Sequence, residues 1–458
     1  MENLIIATDA YKFTHHLQYP KGLTKMYSYG EARTGGRFNV ISWFGLQILV
    51  KQLAETKFTQ EMVDEAAELS RSVFGSDAFF NRAAWEKVVK IGYLPIKIKS
   101  LPEGMNVPAG TPLFTIESTQ SWFATALNSL ETFLMHVWYP STIATNSMNI
   151  KLDLIPLFEK TGDVNNIELA VNDFGLRGAT SLESGKRGGA GHLLHFRGTD
   201  NLAADQLISD VYDFKGRGLS VWATEHSVAT SYGYDHGEFD YVNAQLDRAD
   251  DSAIVSIVID SYDSINFILN VIGSLEIKQK IQNKKGRVVL RPDSGEPKKI
   301  DLEILELLEK IFGSTVNEKG YKLLNYNVGI IQGDGMKRET IVELYEHIIE
   351  AGWSADNLVV GSGGGLLQED FTRDTERFAI KASYVEFDDG RKINLKKQPK
   401  QDLSKTSKSG RFKVIRNETG HIVTKQFSDE GEDLLRTLYE DGQFFPDTFE
   451  NILTRRKY

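Results

Sequence analysis

Apolar positions divide the chain into two stretches of different rhythm. From about residue 150 onward, short apolar runs at 169–171, 193–196, 254–259, 288–290, 328–332, 358–361 and 380–384 alternate with amphipathic segments at 202–211, 264–272, 302–312 and 337–351. The runs predict buried strands and the segments predict helices, so their order predicts a parallel sheet with helical crossovers. Six or seven such units favour a barrel-like closure. The preceding stretch is mixed. It predicts strands at 4–7, 25–29, 96–100 and 111–117, a helix capped by Asp9 at 9–16, helices at 43–53 and 59–74, and a long apolar helix at 123–137. Pro102-Glu103-Gly104 and Pro108-Ala109-Gly110 add turn signals that point to a small β-rich unit. Beyond Val385 the chain becomes polar and basic, with Lys392, Lys396, Lys397, Lys400, Lys405 and Lys408, and then offers hairpin-like strands at 411–416 and 421–426. The predicted class is α/β. An irregular (β/α) barrel-like domain spans 151–385, and a second, β-rich α+β domain is built from 1–150 and the returning tail 386–458.

With 458 residues, 41% hydrophobic and 25% charged, the chain is too long for one small core. It has no cysteine, which excludes disulfides, thiolate metal sites and a cysteine nucleophile. A net charge of −10 argues against nonspecific binding to nucleic acid or membranes. The first residues do not form a signal peptide, and no apolar run approaches the roughly 20 residues of a membrane span. A soluble cytoplasmic protein is expected.

Chemistry concentrates where the predicted strands end. Val288-Val289-Leu290 runs into Arg291-Pro292-Asp293-Ser294-Gly295, where proline stops the ladder and glycine permits the turn. A cation, an anion and a hydroxyl at a strand's carboxyl end suit a ligand with phosphate and sugar hydroxyls. An Arg-Asp pair that merely closes a turn fits this stretch equally well. Asp173-Phe174-Gly175-Leu176-Arg177, Gly198-Thr199-Asp200, Glu225-His226-Ser227, Asp260-Ser261-Tyr262-Asp263, Gln332-Gly333-Asp334-Gly335 and Gly361-Ser362-Gly363-Gly364-Gly365 fall at other strand ends. The last offers bare backbone N–H groups at a helix start, suited to a phosphomonoester, with Arg373 and Lys381 downstream. It is no Walker loop, since no Gly-Lys-Ser/Thr follows. Asp260, Asp293 and Asp334 could hold ribose hydroxyls or a magnesium ion carried on a diphosphate.

In this order, from Ala7-Thr8-Asp9-Ala10-Tyr11-Lys12 to Ser409-Gly410-Arg411, the motifs resemble the nicotinamide phosphoribosyltransferases of the type II phosphoribosyltransferase family. The resemblance implies joining of nicotinamide to 5-phosphoribosyl 1-diphosphate. Magnesium would be carried on the diphosphate, ATP would act as a stimulating co-substrate, and a homodimer would have sites at the subunit interface. By motif, Phe174 and Tyr11 of a partner subunit would sandwich the pyridine ring, and Asp200 would accept the carboxamide N–H and repel nicotinate. Arg177 would contact phosphate or the carboxamide side. Arg291 and Asp293 would hold the ribose region, Gly333 and Asp334 would lie beside it, and Gly363 and Gly364 would take the 5′-phosphate. Arg33, Arg373, Lys381 and Arg411 resemble a diphosphate clamp. His226 would be phosphorylated by ATP, with Glu225 and Asp260 orienting its ring.

This sequence departs from that pattern at Asn172, where a histidine is expected, at Leu176, where an aromatic is expected, and at the Lys186-Arg187 pair in a segment otherwise small and apolar. These bear on the shape of the base pocket rather than on the reaction. The nearest alternative is a nicotinate or quinolinate phosphoribosyltransferase, which would want a cation at Asp200. A non-catalytic binding protein on the same scaffold is a second alternative. A barrel aldolase or isomerase is a third, and would need a lysine better placed than Lys381.

Overall fold

The computed structural model describes residues 3–234, 237–401 and 406–458, so Lys405 of the basic tail lies outside the described residues. The chain forms two compact units, one of Met1–Thr145, Ile208–Phe214 and Phe371–Lys457, the other of Asn146–Leu207, Lys215–Asp370 and Tyr458. The expected domain limits at 150 and 385 differ from these. The first division falls inside the helix Trp138–Thr161, and the second lies well before 385.

A seven-stranded sheet organises the first unit, with Leu23–Ala32 paired antiparallel to Phe378–Phe387 on one side and to Pro112–Ser118 on the other. Ile96–Ser100 and Arg436–Glu440 extend it, so the tail does return to the N-terminal strands. The run at 380–384, expected among the parallel strands, belongs here, with Ile380 opposite Gly30 and Val385 opposite Met26. Its apolar character matched a buried strand but carried no information about its partner. The indole of Trp43, fully buried, stacks on Phe114 and donates to Ser100 Oγ at 3.1 Å and to the Leu101 carbonyl at 3.0 Å. Helix Gln60–Phe74 opens on Thr59 as expected, the hydroxyl accepting the Met62 N–H at 3.3 Å.

Three expectations fail in this unit. Residues 4–7 form a turn instead of a strand: Leu4 and Ile5 are buried, but the Ile5 N–H bonds to the Asn3 side chain at 3.0 Å. Segment 9–16 is a 3-10 turn, Ala10–Thr14, followed by His15–Gln18, and the Asp9 carboxylate accepts from Thr132 instead of capping it. The apolar stretch at 123–137 breaks into short turns and Glu131–Met135, the long helix beginning at Trp138.

The second unit is a ring of seven parallel strands: Val171–Asp173 (β1), Gly198–Thr199 (β2), Trp222–Ala223 (β3), Val255–Val258 (β4), Val288–Arg291 (β5), Val328–Gln332 (β6) and Leu358–Ser362 (β7). They are ordered β2-β1-β7-β6-β5-β4-β3. The segment running into β3 closes the two edges. Leu219 bonds Arg197 and Thr199 through its backbone at 2.7 and 2.9 Å, while the Trp222 N–H reaches the Ile254 carbonyl at 3.2 Å. The barrel-like expectation holds. The run at 193–196, expected as a strand, is instead the buried end of helix Leu182–Leu193 and the turn after it, with β2 following two residues later. Four apolar residues cannot distinguish a buried helix end from a strand. Because all strands run the same way, their carboxyl ends share one rim, and the loops there carry the candidate chemistry. No helix among the described residues is long and apolar enough to cross a membrane.

Arg217, only 5% exposed, ties the turn before β2, donating to the Leu193 carbonyl at 2.8 Å and the Phe196 carbonyl at 3.1 Å, with Glu168 at 3.4 Å. Arg217→Met strips these contacts from buried acceptors. It is expected to lower unfolding free energy by about 3 kcal/mol, read by urea denaturation. An unchanged midpoint would contradict the role given to this residue in holding the turn before β2.

Candidate active site

A cavity of about 960 Å³ opens at the carboxyl ends of the strands. Phe174 stands at its wall just after β1. The ring lies directly on Gly361 of β7, where an added Cβ would sit 2.0 Å from a ring carbon, so only glycine leaves room for this aromatic wall. The Phe174 N–H bonds to the Ser362 carbonyl at 2.9 Å. Asp173 fixes the turn from behind. Fully buried, it accepts the Gly175 N–H at 2.7 Å and the Asn201 amide at 3.0 Å. Burial pushes its carboxyl up to about 6, against the pull of those two bonds and with a further push from Asp200. Asp200 lines the cavity and accepts from Ser220 at 2.5 Å. Arg177 lines it too, exposed and without an ion-pair partner among the described residues.

His226 opens the short helix His226–Thr230 after β3. Its Nε2 lies 3.0 Å from Asp260 Oδ1 and its Nδ1 lies 4.0 Å from Asp293 Oδ2. Asp260, almost buried, accepts the Ser294 hydroxyl on its other oxygen at 2.5 Å. A carboxylate facing Nε2 favours that nitrogen as the N–H donor, which leaves Nδ1 toward Asp293, and 43% of the side chain is open to solvent. Glu225 does not orient this ring as expected. Its carboxylate turns to the Ser227 hydroxyl, while Asp260 alone holds the imidazole N–H.

At the end of β5, Arg291 does not make the Arg-Asp pair that one reading of the sequence offered. It forms no ion pair with Asp293 or any other carboxylate among the described residues, and its Nε is buried without an acceptor. Asp293 and Gly333 line the cavity beside it, the Asp293 carboxylate lying 3.1 Å from where a Gly333 Cβ would be. Gly363 and Gly364 line the cavity as well, and the helix they start, Gly364–Leu367, is a single turn. The Asp334 side chain is exposed and does not line the cavity, its backbone N–H being held by the Gln332 amide oxygen at 2.9 Å. Of the departures, Leu176 lines this cavity, whereas Asn172 lines a second, mostly apolar one of about 840 Å³. Lys186 and Arg187 both pair with Glu183 on their own helix.

The remaining candidates belong to the first unit. Tyr11 is 56% exposed, with His15 edge-on at 5.0 Å. Burial lowers the Lys381 ammonium below its ordinary range, opposed by Glu131 and assisted by Arg33, Lys397 and Lys12. Lys12, Arg33 and Lys397 thus lie near Lys381, with Lys12 paired to Glu131 at 2.5 Å and Arg33 3.9 Å from Glu31; the sequence pointed to Arg33 and Lys381. The position of Lys12 beside Tyr11 was the available signal. Arg373 is exposed and pairs with Asp374 at 2.8 Å. Arg411 pairs with Glu117 at 3.0 Å and lies over the rings of Tyr27, Tyr384 and Phe427.

Residues 169–443 match the nicotinate phosphoribosyltransferase (NAPRTase) family model, and residues 3–98 match the nicotinamide phosphoribosyltransferase N-terminal domain. The nicotinamide phosphoribosyltransferase of Xanthomonas campestris pv. campestris (strain 8004) is 38% identical over 99% of this chain and 97% of its own. That of Acinetobacter baylyi is 33% identical over 96% of this chain and 94% of its own. Among solved structures, nicotinate-nucleotide pyrophosphorylase from Pyrococcus furiosus shares the fold with a TM-score of 0.64 at 16% identity, covering 99% of this chain and 94% of that one. Human nicotinic acid phosphoribosyltransferase does so with a TM-score of 0.58 at 17% identity, covering 98% and 92%.

Acidification through about 6 protonates Asp173 and weakens the two bonds that hold the turn behind Phe174. Affinity for the base, measured by calorimetry, is expected to fall about fivefold between roughly pH 7 and 5, and the Asp173→Asn chain to show a flat profile. Parallel profiles for the two chains would remove Asp173 from this role.

Proposed function

The chain belongs to the nicotinate phosphoribosyltransferase family, and from that premise we propose how its cavity performs the reaction. It transfers the phosphoribosyl group of 5-phosphoribosyl 1-diphosphate to nicotinamide, releasing diphosphate and forming nicotinamide mononucleotide, a step of NAD salvage. The observation that carries the site assignment is Arg291, a cation at the cavity wall that forms no ion pair among the described residues. Arg291 and Asp293 bind the ribosyl end, and the backbone at Gly363 and Gly364 takes the 5′-phosphate. Phe174 offers one face to the pyridine ring, leaving the ring nitrogen toward the sugar. Asp200 accepts the carboxamide N–H and repels the carboxylate of nicotinate.

Bond exchange needs little proton transfer. The ribosyl carbon loses diphosphate through an oxocarbenium-like state, and the pyridine nitrogen takes its place. Positioning and the electrostatics of the cationic residues then carry the rate. Magnesium enters as part of the diphosphate substrate. The exposed Tyr11 of a second copy supplies the other face of the ring, which makes the working unit a homodimer. ATP acts through His226: Nδ1 attacks the terminal phosphorus, the bond to ADP breaks, and ADP leaves with the electron pair. Asp260, backed by Ser294, holds the Nε2 proton so that Nδ1 is the nucleophile.

The test is product formation from the magnesium–phosphoribosyl diphosphate complex, with nicotinamide and nicotinate in parallel and with or without ATP. Selective formation of the nicotinamide product, raised by ATP in the wild type but not in the His226→Ala chain, is the expected result. Preference for nicotinate would overturn the role of Asp200, and equal ATP stimulation of both chains would overturn that of His226.

A further inference from the structure

Asp301 lies outside the cavity, on helix Pro297–Phe312, and is fully buried. Among the described residues its carboxyl group has one hydrogen-bond partner, Gln332 at the end of β6, whose Nε2 donates to Asp301 Oδ1 at 3.0 Å. The other end of the same amide accepts the Asp334 N–H at 2.9 Å. Gln332 is itself buried, so both ends of its amide are committed, one to each side. We infer that Asp301 is a positioning residue for phosphoribosyl transfer: through Gln332 it fixes the Gly333-Asp334-Gly335 turn against the Arg291 end of the cavity.

Three observations converge on this role. The first is the softness of the turn. It holds two glycines, Gly335 with φ of +63°, and depends on side chains for its shape. Gln332 grips it at Asp334, Thr340 donates to the Gly335 carbonyl at 3.1 Å, and Ser362 donates to the Met336 carbonyl at 2.5 Å.

The second is direction. An amide side chain can present either oxygen or nitrogen, and only oxygen can accept the Asp334 N–H. A carboxyl group behind the nitrogen enforces that orientation, whereas an apolar residue would leave it unspecified.

The third is the location of the pinned turn. A Cβ on Gly333 would lie 3.1 Å from the Asp293 carboxylate and 3.9 Å from Arg291 Cδ. Displacement of the turn therefore reaches the groups assigned to the ribosyl end of the substrate, and the inference rests on that assignment.

Holding Asp301 there destabilises the fold. Its Oδ2 is buried without a partner, and burial pushes the carboxyl up to about 7, opposed only by the Gln332 bond. Charged side chains on the neighbouring elements pair elsewhere: Glu343 with Lys298, Lys280 with Asp247, Arg338 with Asp153 and Lys322 with Glu309. A carboxyl raised by burial contributes stability at low pH that is lost as pH rises through about 7. A residue kept only for packing would not carry this penalty.

The test uses the full chain and steady-state kinetics with nicotinamide. In the Asp301→Leu chain, KM for phosphoribosyl diphosphate is expected to rise about tenfold, the equivalent of one lost buried hydrogen bond. Its kcat and its KM for nicotinamide should stay within about twofold of wild type. Asp301→Asn, which keeps an acceptor for Gln332, should restore KM. Melting temperature should be unchanged or higher in the Leu chain at pH 8, where the wild type carries the buried charge. Gln332→Met cuts the same link from the other end and should reproduce the KM change if the Leu chain fails to fold. An unchanged KM in both chains overturns the inference. So does a parallel loss of kcat, both KM values and melting temperature, which would make Asp301 an ordinary structural residue. A wild-type chain with no turnover would instead overturn the assignment of the cavity.

Discussion

Arg291 brings a positive charge to the end of a buried strand and forms no ion pair among the described residues. Desolvating a guanidinium is costly, and proteins normally recover that cost by pairing it. Under the proposed function, the ribosyl end of the ligand supplies the partner that folding leaves out. A hydrogen bond from a charged donor of this kind contributes about 1.5–3 kcal/mol. The parallel ring is what makes this useful. Because all seven strands point the same way, Phe174, Asp200, His226, Arg291 and Gly363 come from different loops yet face one cavity.

Behind the wall, polar side chains act in short chains. Ser294 and Asp260 form a chain that ends on Nε2 of His226. Asp173 and Asn201 hold the turn that presents Phe174. Asp301 and Gln332 hold the turn beside Arg291. In each case a buried carboxyl group or amide spends its hydrogen bonds on another residue rather than on substrate. These groups set geometry, and loops rich in glycine need such pins to keep a fixed shape.

Much of this was legible in the sequence. Apolar runs bounded by glycine and proline predicted β5, β6 and β7 closely, because buried parallel strands are continuous apolar segments with sharp ends. Their loops followed at once, which brought Arg291, Gly333 and Gly363 to one rim. What failed was information that apolar character does not contain. The run at 380–384 looked like its neighbours but pairs antiparallel with Leu23–Ala32, and 193–196 looked like a strand but ends a helix. Helix Leu182–Leu193 escaped notice because its glycines suit close packing, not helix propensity. Of the two residues expected to orient His226, Asp260, 34 positions away, holds the ring, whereas the adjacent Glu225 turns to Ser227. Asp301 had no sequence signal, since a lone acid in a helix is ordinarily a surface residue.

The most direct test of the open charge at Arg291 is the affinity of the cavity for ribose 5-phosphate, measured by calorimetry in wild-type and Arg291→Met chains alongside their melting temperatures. The site assignment predicts affinity weakened by about tenfold or more, with stability unchanged or raised, because the arginine is compensated only by ligand. Equal affinity in the two chains, or a marked loss of stability without loss of binding, would contradict it and return Arg291 to the framework of the fold.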